Sequence, residues 1–322
     1  MRKHSLTVFA ALTGAAFLIS LFVGQYSMHF TDMGDPSSMS FRVFFNLRMP
    51  RTVMAVLAGA GLALAGYVFR TLFSNPIAAP DIIGVSSGAS TGAACMILLA
   101  GSHTLLTAGG AMLGGFAAVL LTIGLAKHAG AERTSSFLLA GIAVNAVAQA
   151  LLMLLKRSAD PERQLASIEY WIMGSLASVS LSQVVPAAIL TLMGMIPLIL
   201  LSKTITLLSL HTDEAQMLGI PVSAMRVIVL ILTTLVVTSI TCITGLISFI
   251  GLIAPHAARL LQKTNNRRTM LLSMLIGALL VLISDCIARS WGYSEIPISI
   301  LTSLIGAPYL VRLLWKGGHV LD

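Results

Sequence analysis

Charged side chains are scarce in this sequence. Asp, Glu, Lys and Arg together make up 10% of its 322 residues, whereas hydrophobic residues make up 57%. Soluble domains usually contain about 25% charged residues, and a soluble fold of this length could not cover its surface with so few. We therefore expect the chain to lie mostly inside a lipid bilayer.

Several signatures of chemistry are also missing. The three cysteines, Cys95, Cys242 and Cys286, lie in apolar stretches without a C-x-x-C pattern, which is typical of small buried side chains. His256 has no second ligand at helical spacing, so we expect no metal site. No lysine follows a G-x-x-x-x-G string, and the chain therefore lacks the P-loop that would bind ATP.

Long apolar runs are abundant instead. A membrane-spanning helix needs about 20 mostly apolar residues, and runs of this kind occur at 6–24, 52–69, 82–100, 104–126, 137–155, 184–202, 269–288 and 298–315. A further uncharged run, 227–258, is too long for one crossing. Because Gly245, Gly251 and Pro255 interrupt it, we expect one full helix followed by one short helix. The sequence thus predicts an all-α, polytopic membrane protein with about ten transmembrane helices in a single domain, residues 1–322.

The basic residues predict an orientation for these crossings. The net charge is +8, but Lys and Arg are scattered between apolar runs, whereas nucleic-acid binding needs a basic face. With the N-terminus inside, thirteen of the twenty Lys and Arg residues fall on the cytoplasmic side, as the positive-inside tendency favours. The first run is not followed by an A-x-A cleavage site, so we expect a retained helix and two cytoplasmic termini.

Two polar loops separate the runs more widely than a tight turn requires. The outer loop, 156–164, leads into a short segment with Tyr170 and Trp171, which suits a helix at the membrane interface. The inner loop, about 203–226, carries the apolar side chains of Leu218, Ile220 and Val222. Long loops are usually functional, and we expect this one to dock on another protein.

Residues 75–90, NPIAAPDIIGVSSGAS, combine two prolines with a G-x-S-x-G string. In an esterase, that string is a turn between a strand and a helix, with Ser86 as the nucleophile. Here it opens an apolar helix in a chain with no room for such a sheet, which argues against an intramembrane hydrolase. A break between Pro76 and Pro80 instead indicates a pathway, because irregular backbone at membrane depth must be buried in protein or line a watery cavity. An ordinary tight turn at the interface is the alternative.

Asp285 and Arg289 lie four residues apart on one predicted helix. A charge inside the membrane costs about 2.5–3.5 kcal/mol on insertion scales, so we expect these two side chains to form an ion pair. An ion-coupled secondary transporter, the alternative function, would need more conspicuous membrane carboxylates than this one.

Nine motifs, in order along the chain, resemble those of the FecCD family of permease subunits. Permeases of this family are subunits of ATP-binding cassette importers, which carry iron–siderophore complexes, haem or cobalamin across the bacterial cytoplasmic membrane. The motifs are LRMPR (47–51), AGAGLALAG (58–66), NPIAAPDIIGVSSGA (75–89), LLAGIAVN (138–145), WIMGSL (171–176), DEAQMLGIPV (213–222), GLISFIGLIAPHAAR (245–259), DCIAR (285–289) and EIPISILTSLIGAPYLVRLL (295–314).

The resemblance implies the type II importer permease fold and a set of partners. A second permease subunit, identical or related, would pair with this one, above two ATPase subunits and below an extracytoplasmic binding protein. The permease itself would hold no cofactor and catalyse no reaction, since ATP and Mg would bind to the ATPase subunits.

The resemblance also implies roles for particular residues. Asn75 and Ile77 would belong to a cytoplasmic gate, and Arg48, Arg51 and Arg289 would face water and dock the binding protein. Coupling to the ATPase would fall to six residues of the inner loop: Glu214, Ala215, Leu218, Gly219, Ile220 and Pro221.

Three positions depart from the family pattern. Arg70 stands where Gln is usual, Ser74 where Arg or Glu is frequent, and Ser299 where Gly is usual. We expect Arg70 either to extend to the membrane interface or to alter the charge near the gate.

Overall fold

All regular structure in the described residues is helical. The computed structural model describes residues 4–27, 34–128, 134–210, 212–291 and 295–316. Its helices are α1 (Ser5–Phe22), α2 (Met39–Arg42), α3 (Met49–Leu72), α4 (Val85–Ala100), α5 (Thr104–His128), α6 (Thr134–Ser158), α7 (Ala166–Met173), α8 (Leu181–Leu200), α9 (Ser202–Leu207), α10 (Thr212–Met217), α11 (Val222–Thr244), α12 (Ile250–Gln262), α13 (Arg267–Ser290) and α14 (Ile298–Lys316). Two π-helical segments, Val43–Arg48 and Pro161–Leu165, and one 3-10 turn, Pro80–Ile83, complete them.

Each apolar run of the sequence coincides with one helix, or with two in the case of 227–258, which confirms the predicted all-α fold. Among the described residues, seven helices are long and apolar enough to cross a membrane, and α4 and part of α14 are shorter apolar helices. The run 227–258 divides as predicted into a long helix, α11, and a short one, α12. The two chain ends that bear on the predicted orientation, 1–3 and 317–322, lie outside the described residues.

Local signals in the sequence fix where several helices begin and end. The side chain of Asn266 accepts a hydrogen bond from the Thr269 amide (3.1 Å) and caps the start of α13. Ser180 and Gln183 form a capping box at the start of α8. At the other end of α11, Gly245 takes a positive φ of 67° and stops the helix.

Helix α3 lies at the centre of the bundle and packs against α8, α11, α12 and α13. The continuous helical stretch Met39–Leu72 contains α2 and α3, and 78% of the residues in its most apolar 18-residue segment are buried inside the chain. The corresponding fraction in α6 is 22%. The contact with α13 is backbone to backbone, because Gly59 faces Gly277. A Cβ atom added at Gly59 would lie 2.3 Å from the Gly277 carbonyl oxygen. Small residues allow this close approach of two membrane helices.

We predict that Gly59→Ala lowers the free energy of unfolding by about 1–3 kcal/mol, the usual cost of overpacking a tight contact. The added methyl group would meet the backbone of α13, which cannot move aside as a flexible side chain can. Thermal unfolding of the purified protein in detergent measures the effect. Gly124→Ala is the control, because a Cβ atom there has no neighbour within 4 Å. Equal unfolding midpoints for the two variants would contradict the close contact.

Candidate functional site

Two interruptions of the α-helical backbone meet at one cavity. The first is the segment at Ala79–Gly84, and the second is 245–249, between α11 and α12. The cavity is about 190 Å³ in volume, and its walls come from these two segments and from α3, α4, α6, α11 and α12. Irregular backbone is tolerated at membrane depth where it lines a watery space. This is the arrangement that the Pro76–Pro80 break predicts.

The cavity wall is polar without being strongly charged. Asp81, Ser86, Asn145 and Gln149 contribute its polar side chains, together with hydroxyls from α4 and α11. Ser86 donates a hydrogen bond from its hydroxyl to the Asp81 carboxylate.

The G-x-S-x-G string is part of this wall and is no nucleophile elbow. Gly84 is left-handed, with φ 84°, and joins the 3-10 turn to α4. No strand precedes it, and in the part of the chain that the structure describes no strand occurs at all. Ser86 has an aspartate as its hydrogen-bond partner rather than a histidine. The geometry therefore supports a cavity lining and not a hydrolase.

Side chains satisfy the backbone of the second irregular segment. The Ser299 hydroxyl donates to the Leu246 carbonyl (2.6 Å) and accepts from the Ser248 amide (3.2 Å). The amide of Ser175 donates to the Thr244 carbonyl (2.8 Å). Ser299 is one of the departures from the family pattern, and the structure gives it this specific role, which sequence reasoning missed.

The predicted gate residues lie before the cavity rather than in its wall. The Asn75 side chain accepts a hydrogen bond from the Ile77 amide (3.0 Å), which closes a local turn. The Ile77 side chain is 65% exposed. Next to this turn, Ser74 adopts a positive φ of 47° and donates to the Ser209 carbonyl (3.1 Å), so the segment is tied to the inner loop.

The inner loop contains two short helices, α9 and α10, and a tight turn into α11. Gly219 has φ 79°, and its amide donates to the Gln216 carbonyl (2.8 Å), while the Ile220 amide donates to the Ala215 carbonyl (3.2 Å). This pair of bonds is a Schellman motif, which favours glycine at the left-handed position. Glu214 is exposed in the helix before it, and Pro221 precedes the first residue of α11.

The apolar tip of this loop differs in part from the prediction. Leu218 is 60% exposed, as expected, whereas Ile220 is partly buried against the hydrophobic core, and its contribution to the coupling face stays a prediction. The Schellman turn explains the difference, because it directs the residue after the glycine back onto the helix. Met217 is 87% exposed and forms the tip with Leu218. Sequence reasoning missed Met217, although it stands beside Leu218 in the same motif.

The three predicted docking arginines do not face water, which corrects the expectation. Arg48, Arg51 and Arg289 are 5%, 8% and 5% exposed. Arg48 donates to backbone carbonyls at the end of α1 and just after it, including that of Phe22 (2.6 Å), where helix carbonyls lack intrahelical partners. The Arg48 guanidinium therefore has its partners within the chain.

Arg51 and Arg289 share one buried carboxylate. Arg51 Nε donates to Asp285 Oδ1 (2.7 Å), and its Nη1 donates to the Glu295 carboxylate (2.8 and 2.9 Å). Arg289 Nη2 lies 3.3 Å from Asp285 Oδ2 and also donates to the Ser20 carbonyl (2.7 Å). The expected Asp285–Arg289 ion pair is confirmed. The sequence did not reveal that Arg51, 234 positions away, bonds the same carboxylate.

We predict that Arg51→Ala costs about 3–5 kcal/mol of stability, because it leaves the Asp285 carboxylate buried with one partner fewer. Thermal unfolding in detergent measures this cost. Arg157→Ala, at an exposed position of α6, is the charge-matched control. A purified Arg51→Ala protein that unfolds like the control but no longer binds an extracytoplasmic protein would reverse this assignment in favour of docking.

Known proteins resemble the chain over nearly its whole length. The molybdate import system permease protein MolB of Haemophilus influenzae is 35% identical over 312 residues, covering 93% of this chain and 91% of MolB. A permease of Helicobacter pylori, named for iron chelatin transport, is 33% identical over 288 residues, covering 89% of this chain and 86% of that protein.

A solved structure extends the similarity to the fold. It is described as an inward-facing conformation of a metal-chelate type ABC transporter. The two chains share 35% sequence identity and superpose with a TM-score of 0.88, which covers 97% of this chain and 98% of the other. The helix order, the cavity and the inner loop described above thus belong to an ABC transporter permease fold.

The sequence pattern of one transport family matches residues 12–316, which include most of α1, all the later long helices and both irregular segments. This chain belongs to the FecCD transport family, as a multi-pass permease subunit of ABC importers.

Proposed function

We propose that the chain carries a metal chelate, an iron–siderophore complex or a similar haem- or cobalamin-like compound, across the bacterial cytoplasmic membrane. The observation that carries this proposal is the full-length superposition on a transporter described as of the metal-chelate type. The relative named for iron chelatin transport supports an iron complex. Molybdate is a second candidate, because MolB is 35% identical to this chain.

A second permease subunit, identical or related, closes the pathway in this proposal. Gln149 is exposed on α6, and it also lines the cavity. A polar amide in the middle of a spanning helix is costly against lipid tails. An opposing subunit that encloses a water-filled path next to α6 removes this cost.

The remaining partners follow from the family. Two ATPase subunits bind ATP and Mg on the cytoplasmic side, and this chain has neither an ATP site nor a cofactor. An extracytoplasmic binding protein delivers the cargo on the other side. Both termini are cytoplasmic in this arrangement, and residues 203–226 form the coupling loop of a single domain.

The gate assignment stays with Asn75 and Ile77. Exposure of the Ile77 side chain supports it, because an apolar group that its own chain leaves mostly uncovered can meet its counterpart from the second subunit. The Asn75–Ile77 turn holds this side chain in place. Docking through Arg48, Arg51 and Arg289 remains a prediction, and their burial means that a binding protein would have to displace existing contacts.

Reconstitution tests the proposed function. We expect proteoliposomes that contain the permease, its ATPase and a loaded binding protein to accumulate a radiolabelled ferric siderophore only when ATP is supplied to the ATPase. Molybdate, offered in a parallel assay, tests the second candidate. Uptake driven by an ion gradient in the absence of the ATPase would contradict the proposal and favour a secondary transporter.

The tip of the coupling loop gives a second prediction. We expect Met217→Ala and Leu218→Ala each to weaken binding of the ATPase by about tenfold or more, because desolvated apolar anchors carry most of the energy of an interface. Copurification and equilibrium binding of the ATPase measure this loss.

Gln216→Ala is the matched control, since it truncates an exposed polar side chain of the same short helix. We expect its ATPase affinity to stay within about twofold of wild type, as for most interface positions outside a hot spot. Should all three variants retain wild-type affinity, the tip of the loop is not the contact.

A further inference from the structure

Three polar side chains from three helices lack hydrogen-bond partners at one end of the bundle. Arg70 lies in the last turn of α3, His256 in α12 and Tyr309 in α14. Arg70 Nε, His256 Nε2 and the Tyr309 hydroxyl are each shielded from solvent, and none has a partner among the described residues. A buried polar group without a partner costs free energy, so three together indicate a missing ligand.

The three groups belong to one cluster. The His256 and Tyr309 rings lie edge to face, with centroids 6.0 Å apart. Helix α12 packs against both α3 and α14, which brings Arg70 and Arg259 close enough to His256 for their charges to act on it. The cluster is separate from the cavity, whose walls contain none of these four residues.

The charge of the cluster selects the kind of ligand. Two guanidinium groups lie within interaction range of each other, and within the described ranges no carboxylate comes within ion-pair distance of Arg70 or Arg259. Like charges in a desolvated place repel, and an unpaired buried charge is costly. Arg, Tyr and His can all donate hydrogen bonds, so a ligand that satisfies them together is an acceptor with negative charge.

We propose that Arg70, His256 and Tyr309 form a binding site for a phosphate-class oxyanion, with Arg259 adding positive charge. The planar guanidinium suits the paired oxygens of such an anion. Arg70 stands in the last turn of a helix long enough to span a membrane, and basic pockets between such helices bind headgroup phosphates. The anion comes either from the phosphate of an anionic lipid or from a free inorganic oxyanion.

Binding measurements on the full-length protein in neutral detergent test the site and separate its two sources. One arm titrates inorganic phosphate against chloride at equal ionic strength and follows the thermal-unfolding midpoint. The other arm adds phosphatidylglycerol or phosphate-free diacylglycerol and counts retained lipids by native mass spectrometry. Preference for free phosphate identifies a soluble anion, and preference for phosphatidylglycerol alone identifies a headgroup.

The variants decide whether this cluster is responsible. We expect Arg70→Gln to weaken the preferred ligand by about tenfold or more, because it removes a charge-assisted bond. Arg268→Gln removes the same charge from an exposed position at the start of α13, and we expect a change within about twofold. Tyr309→Phe removes only a hydroxyl, and it tests the same cluster if Arg70→Gln does not fold. We expect it to cost about threefold or more.

Two results would overturn the proposal. One is a wild-type protein that prefers neither phosphate ligand over its control. The other is wild-type affinity in Tyr309→Phe together with equal affinities in Arg70→Gln and Arg268→Gln.

Discussion

Backbone at 245–249 leaves the helical path between α11 and α12, and the cavity beside it depends on how the N–H and C=O groups of this segment are satisfied. Lipid offers them no partner, and each unsatisfied group costs several kcal/mol. The Ser299 hydroxyl bonds two of them, at Leu246 and Ser248, and the cavity borders the same segment. Helix α14, which carries Ser299, therefore stabilises the non-helical segment 245–249, and this segment forms part of the cavity wall.

A second unit, built on charge, ties together the opposite ends of the sequence. Asp285 is fully buried between Arg51 and Arg289, and Arg289 reaches the last turn of α1 at Ser20. A guanidinium has five N–H donors, so Arg289 can contact Asp285 and still donate to the Ser20 carbonyl. Through Arg51 and Arg289, the single aspartate therefore connects α3, α13 and α1. Glu295, with a side chain 35% exposed, is the one partner in this network that remains open to solvent.

The sequence predicted helices well and contacts poorly, for physical reasons. Runs of apolar residues reveal a spanning helix because a bilayer demands about 20 of them in a row, and the short helix α12 followed from the length of the run 227–258. The arginines show the limit. The sequence around an arginine at the end of a spanning helix is the same whether the side chain faces water or forms a buried ion pair. Only the fold brings Arg51 Nε within 2.7 Å of Asp285 Oδ1.

The coupling loop shows the same limit at the scale of one turn. Sequence placed Leu218 and Ile220 on one apolar face, as though the residues flanking Gly219 were equivalent. The positive φ of Gly219 makes them inequivalent, because the Ile220 amide turns back to the Ala215 carbonyl and the Ile220 side chain is partly buried against the core. The exposed pair is therefore Met217 and Leu218, both before the glycine. The tip leads into α11 through a hydrogen-bonded turn with an apolar anchor, and α11 borders the cavity, so the proposed coupling has a continuous structural connection. The loop and the cavity are thus connected through α11, and the Ser74–Ser209 hydrogen bond adds a direct contact between the loop and the segment that precedes the cavity.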